Sequence, residues 1–405
     1  MSEEAIAPVN QSAFRHGPFR WYFGAGLVSF MGMWFEKVAL GWFAWELTES
    51  TFWTGFVAVA ATAPVGLLGP VIGVYAERWD MRRVSVILNV AMAIVSAIFF
   101  YLAITPGVSI LPVAALALVL GVIGAFYHPV RLVLVTQVVP RQFLPSAVGL
   151  MAVAFNLSRV IGPALAGLLI AAAGLPPAFI VNAVSYLPIV AVIAVLPLIT
   201  RPQIERVQSS LGAQLRDGLS YALNDRLIRW CLAIVVWSAT IGRGALEIMP
   251  AVVGGILSGT SSDLAIIASA GGLGALAAAM GVGILTPTTA QIARLAQFLL
   301  PVTTLLIVLV GLSANPVQMA IVFCLLGLTT TVVGIGCQMI VQLEVAEAYR
   351  ARVLTWWSTA NFGGVTFGGL VLGSIGDVVP LSWVMVAIGI LGLGLALPLV
   401  ARRPR

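Results

Sequence analysis

The run SFMGMWFEKVALGWF, Ser29 to Phe43, sets Glu36 and Lys37 side by side among Trp, Phe, Val and Leu. In a soluble helix that pair would face water, but the flanking residues are too apolar to provide a wet face. The whole chain repeats the pattern: of its 405 residues 60% are hydrophobic and 9% charged, with mean hydropathy +1.06. Soluble domains carry about 25% charged residues. Too few polar side chains are present to cover a water-soluble globule, so lipid is the solvent and the fold class is an all-α membrane protein.

A membrane-spanning helix needs about 20 mostly apolar residues. Twelve such spans are predicted, at 19–46, 52–76, 83–104, 110–138, 144–173, 176–198, 228–254, 262–286, 291–312, 315–341, 351–376 and 380–400. Barrel strands are excluded, because they alternate over about ten residues and these runs are longer and Gly-rich. The longest polar stretch, 200–227, divides the chain into an N-terminal six-helix half, 1–199, and a C-terminal six-helix half, 228–405. Leu211, Leu215, Leu219 and Leu223 recur every four residues within it, predicting an amphipathic helix on the membrane surface. A shift of about 202 residues brings Gly162–Gly174 onto Gly364–Gly376, a faint repeat that suits two pseudo-symmetric bundles.

The basic residues orient these spans. With the N-terminus in the cytoplasm, Arg15, Arg20, Arg78, Arg82, Arg83, Arg141 and every other loop Arg fall on the cytoplasmic side, and the outer loops hold only acids such as Glu49, Asp263 and Asp377. That asymmetry follows the positive-inside rule and places both termini in the cytoplasm. It also accounts for the net charge of +6 without a nucleic-acid partner. No basic, cleavable leader precedes the first span, which is expected to stay as an anchor. Cys231, Cys324 and Cys337 lie in apolar spans without metal-ligand spacing, so no metal is expected.

Six charged residues fall inside spans: Glu36, Lys37, Arg131, Arg159, Arg243 and Glu247, with His128 a seventh ionisable group. Together the six cost roughly 15–20 kcal/mol before pairing, so they are expected to face a wet cavity or one another. At about 1.5 Å per residue, Glu36 lies roughly 24 Å along its helix from Arg20 and Glu247 roughly 27 Å from Arg229, a matching depth. Arg243 and Glu247 are four apart and are expected to pair within one helix; His128 with Arg131, and Asn156 with Arg159, are three apart. Glu36 and Lys37 point about 100° apart and cannot share a partner. Buried ion pairs can also serve helix packing alone, the competing reading for all of them.

Gly69-x-x-x-Gly73, Gly364-x-x-x-Gly368 and Gly369-x-x-x-Gly373 allow close helix approach. Gly162-Pro163, followed by Gly167, interrupts the fifth span and is read as a helix-bending element, with ordinary packing as the alternative. Between spans two and three the chain reads GVYAERWDMRR, Gly73 to Arg83. Its Arg residues are explained by topology alone; Glu77 could sit at the positive N-terminal end of a neighbouring helix and latch the halves together.

That loop resembles the Gly-x-x-x-Asp-Arg-x-Gly-Arg-Arg signature of the major facilitator superfamily through Gly73, Arg78, Arg82 and Arg83, with Glu77 in place of Asp and Asp80 in place of Gly. FYHPVRLVLVTQVVPRQFLPSAVGLMAVAFNLSRVIGPALAGLL and GRGALEIMPAVV look like the branch containing the enterobactin exporter and related drug-efflux proteins. The resemblance implies the major facilitator fold, a gating role for Gly73, Glu77 and Arg78, and an antiporter-type element at Gly162, Pro163 and Gly167. The chain departs from that branch at Met33, where an acid is common, and at His128-Pro129, where Asp-Pro is common.

The reading is a secondary active transporter, not an enzyme. It is a monomeric, proton-coupled antiporter without cofactors, in the bacterial cytoplasmic (inner) membrane, exporting a small molecule such as a siderophore or drug. Importer and lipid flippase are alternatives within transport, and a sensor or scaffold is the alternative outside it. Glu36 and Glu247 are the candidate proton carriers, since a carboxylate in such a cavity can alternate between protonated and paired states. The six charges sum to +2, which favours an anionic or amphipathic cargo.

Overall fold

In lipid each backbone N–H and C=O must find its partner within the segment, and a helix does this locally. A computed structural model describes residues 12–76, 79–199, 211–285 and 287–401, and its regular elements are all helical. They are α1 Gly17–Thr48, α2 Thr51–Ala76, α3 Met81–Ile104, α4 Ile110–Val138, α5 Leu144–Ala173, α6 Pro176–Val195, α7 Leu211–Asn224, α8 Arg226–Trp237, α9 Gly244–Glu247, α10 Met249–Leu257, α11 Ser261–Leu285, α12 Thr289–Gly311, α13 Pro316–Glu344, α14 Glu347–Gly376 and α15 Leu381–Ala401. Ten segments among the described residues are long and apolar enough to cross a membrane. The 32-residue α1 and the 30-residue α14 are outside that set.

Polar residues at the breaks fix the ends. Asp80 caps α3 by accepting the Arg83 N–H at 3.1 Å, Asp225 caps α8, and Thr288 with Gln291 forms a capping box on α12. The seventh span is not the single straight helix expected. A π-turn at Ser238–Arg243 follows α8, and Ile248 interrupts the helix again just before Pro250. The wider turn rotates the following residues around the axis, which changes where Glu247 points.

α1 lies against α5 and α6, α2 against α4, and α3 against α6; later in the chain α11 lies against α13, and α12 against α15 and α13. These groups meet along α2–α14, α5–α11 and α1–α10. The contacts are tight from mid-helix toward the end of the molecule that holds Asp377. Midway along both helices a Cβ on Gly272 of α11 would sit 2.7 Å from the Arg159 carbonyl oxygen of α5, and at the Asp377 end one on Gly373 of α14 would sit 3.0 Å from the Thr51 carbonyl oxygen. A Cβ on Gly167 would overlap that of Ala265. Toward the other end, which holds Asp80, Cβ atoms on Gly149 and Gly283, on the faces that carry Gly167 and Gly272, would meet nothing within 4 Å, so α5 and α11 diverge. Asp377 itself crosses between groups: its carboxylate accepts from Ser50 Oγ at 2.6 Å and from the Phe52 N–H at 3.1 Å, at the start of α2.

α7 has a protein face as well as the leucine stripe. Gly218 abuts Arg352, Tyr221 stacks on Tyr349 with centroids 4.8 Å apart, Ala222 is fully buried, and Arg352 reaches Asp217 at 3.5 Å. Leu223 stays 48% exposed. The helix therefore docks on the start of α14 through its small and aromatic residues, not only on lipid through its leucines. Residues 200–210 and 402–405 lie outside the described residues.

Candidate functional site

Adjacent residues on α1 diverge as helix geometry requires, and the structure shows which way each one points. Glu36, not Lys37, faces neighbouring helices: it is 3% exposed and accepts from Ser96 Oγ of α3 at 2.5 Å and Asn182 Nδ2 of α6 at 2.8 Å. Asn182 also donates to Ser96 at 2.8 Å, and Ser185 donates to the Asn182 side chain at 3.1 Å. Gly32, one turn before Glu36, makes room for this group, because a Cβ there would collide with Ser185 and Asn182. The side chains that donate to Glu36 are thus neutral.

Lys37 instead reaches across the molecule. Its Nζ lies 3.0 Å from Glu247 Oε1, with the lysine side chain 42% exposed and the glutamate 10%. The expected Arg243–Glu247 pair within one helix is not formed. The π-turn places Arg243 so that it donates to Asn361 of α14 at 2.8 Å, and α9 turns Glu247 toward α1. Arg243 and Glu247 remain electrostatic neighbours, and Arg159 of α5 senses both. Glu247 Oε2 is buried without a hydrogen-bond partner. One carboxylate therefore sits among Lys37, Arg159 and Arg243.

Arg131 of α4 lies over the rings of Phe30 and Phe155, 4.9 and 5.5 Å from their centroids. His128 is exposed one turn earlier on the same helix. Asn156 does not join Arg159: it donates to the Ala152 carbonyl of its own helix at 2.8 Å. Gly162 has a packing role, since a Cβ there would lie 2.5 Å from the Trp34 Cβ, and Pro163 lies inside the continuous α5.

In the loop between α2 and α3, Glu77 and Arg78 lie outside the described residues, and Gly73 falls in the last turn of α2. Asp80 caps α3 and pairs with Arg83 at 3.2 Å. Arg82 donates to the Ala194 and Leu196 carbonyls, closing the exposed end of α6. These three residues thus finish helices within α1–α6 and do not reach the later helices. Among the described residues no cluster of His, Cys, Asp and Glu could hold a metal.

Ser96, Asn182 and Asn361 were missed by reasoning from charge alone. The available signal was a lone amide in an apolar span, at Asn182 in FIVNAVSYLP and Asn361 in STANFGG.

A family profile described as transmembrane secretion effector matches residues 6–403. The chain belongs to this family of the major facilitator superfamily. Among curated proteins it is 26% identical to the staphyloferrin A transporter of Staphylococcus aureus, over 44% of this chain and 45% of that one. It is 29% identical to the multidrug efflux pump Tap of Mycolicibacterium fortuitum, over 40% of each. The matched stretch thus spans less than half the length of either relative. An uncharacterized transporter of the same superfamily from Bacillus subtilis is 23% identical over 92% of this chain and 89% of its own. Among solved structures, a mutant of the nucleoside transporter NupG superposes with TM-score 0.77 at 13% identity, covering 95% of this chain and 99% of that one. A POT family transporter gives 0.69 at 12%, covering 95% of each. These likenesses establish the fold: an all-α, multi-spanning membrane protein of the transporter type.

Proposed function

We propose that this chain is a secondary active transporter that exports a small anionic or amphipathic molecule by alternating access. One observation carries the reading: Lys37, Arg131, Arg159 and Arg243 are balanced by the single carboxylate of Glu247, because Glu36 is sequestered with neutral partners. Cations held at low dielectric without matching acids favour an anion strongly. A siderophore-like or drug-like acid suits this balance. The family's description as a secretion effector supports export.

The topology completes the reading. α1 and α14 each exceed the length needed to span, and each is packed among spanning helices, which supports twelve spans in two six-helix halves, 1–199 and 228–405, joined by 200–227. The loop Arg residues support cytoplasmic termini in the bacterial cytoplasmic (inner) membrane, and the protein works as a monomer. The Asp80 end then faces the cytoplasm, and the structure is closed outward. Cargo enters past Arg131, and its anion competes with Glu247 for Lys37. Loss of that bridge frees the two halves to rock. Glu36, beside Lys37 on α1, carries the coupling proton, since its hydroxyl and amide partners can accommodate either protonation state.

The test is flux into proteoliposomes under an imposed pH gradient, with anionic, neutral and cationic probes of similar size. Gradient-driven accumulation selective for the anion is expected. Selective accumulation of the cation would refute the reading.

A further inference from the structure

The charge balance names an anion but not the body that carries it. Between α1, α4 and α5 the structure holds a second kind of recognition surface. Phe30 and Trp34 stand one turn apart on α1, and Phe155 faces both from α5, with centroids 5.5 Å from Phe30 and 6.3 Å from Trp34. The Gly162 contact with Trp34 sets this spacing. A cation stands at each end of the ring strip: Arg131 over Phe30 and Phe155, and Lys37 Nζ 5.4 Å from the Trp34 centroid.

One group in this strip lacks a partner, and a second lacks a counter-ion. The Trp34 Nε1–H is buried with no acceptor. The Arg131 guanidinium is half-buried, lies over the two rings and has the hydroxyls of Tyr22 and Tyr127 as electrostatic neighbours, but no carboxylate pairs with it among the described residues. A buried indole N–H normally finds an acceptor, and a guanidinium fork normally takes a carboxylate edge-on.

We infer that the Phe30–Trp34–Phe155 strip with Arg131 is a subsite for a planar aromatic anion. This rests on the anion-transport reading and specifies its cargo. An aromatic acid satisfies the whole arrangement: its ring stacks in the strip, its carboxylate accepts from Arg131, and an oxygen substituent can accept from Trp34. An aliphatic acid uses the cation alone, and a neutral aromatic uses the rings alone. Packing without recognition would leave the buried indole N–H unsatisfied and the guanidinium without a carboxylate.

The experiment is calorimetric titration of the full chain in nanodiscs with three probes of similar size. These are 2-naphthoate, its saturated analogue decalin-2-carboxylate, and neutral 2-naphthamide. The naphthoate should bind about tenfold more tightly than either comparison probe. Phe155→Leu should erase its advantage over the saturated acid, and Arg131→Gln its advantage over the amide. Phe155 is half-buried, so its variant keeps the test open should Arg131→Gln fold poorly. Equal affinity for the two acids, with both above the amide, overturns the aromatic subsite and leaves the anion reading standing. Amide binding equal to that of the acids, or no binding of either acid, overturns both.

Discussion

Gly272→Ala tests whether the α5–α11 contact closes the Asp377 end. The new Cβ would lie 2.7 Å from the Arg159 carbonyl oxygen and 3.0 Å from the Val160 Cα, both backbone atoms that cannot swing aside. Restoring ordinary contact separates α5 and α11 by about 1 Å, and overpacking of this kind costs about 1–3 kcal/mol in the closed state. A state in which the helices are already apart escapes the cost, so its population should rise about 5–150-fold. The assay is alkylation of Ile170→Cys, at a buried position of α5, by a membrane-impermeant reagent in a background lacking Cys231, Cys324 and Cys337. The rate should rise by the same factor. Gly281→Ala on the same helix adds its methyl to open space and should leave the rate unchanged. Equal rates in the two variants would refute the closure argument.

Glu36→Gln keeps the shape of the Ser96–Asn182 group; counterflow at equal concentrations should survive while accumulation driven by a pH gradient is lost, and intact accumulation would remove Glu36 from coupling. Glu247→Gln removes the competitor for Lys37, so anion affinity measured by titration should rise several-fold while turnover falls. Arg82→Ala uncaps α6 and should lower thermal stability by about 1 kcal/mol with little change in cargo affinity. Cysteines at positions 205 and 403 should resist labelling from outside, and one at 263 should react; the reverse pattern would invert the topology.

Helix positions were legible because spans are long and their breaks carry Pro, Gly, Asn and Asp. Each predicted segment has a helical counterpart within a few residues, including 144–173 in α5, although the seventh is broken into α8, a π-turn, α9 and α10, and ten segments among the described residues are apolar enough to cross a membrane. Which ionisable groups meet was legible only in part. Helical geometry required Glu36 and Lys37 to part, yet could not say which would find α3 and α6, since that depends on how α1 is rotated in its bundle. The Arg243–Glu247 expectation failed because i,i+4 spacing assumes an unbroken α-helix, and nothing in SATIGR announces a π-turn. The aromatic strip was invisible because Phe155 lies more than a hundred residues from Phe30 and Trp34 in sequence.

The carboxylate of Asp377 completes the cap of a helix that begins more than three hundred residues earlier, at Thr51. Ser50 alone holds the Trp53 N–H, at 3.1 Å, while the Phe52 N–H depends on Asp377. Parting the two groups of helices at this end would leave α2 half-capped, at a cost of about 1 kcal/mol. The first turn of α2 is therefore a gauge built into the chain. Deuterium uptake at the Phe52 amide would read out how often the outer face opens, without any label, cargo or added probe.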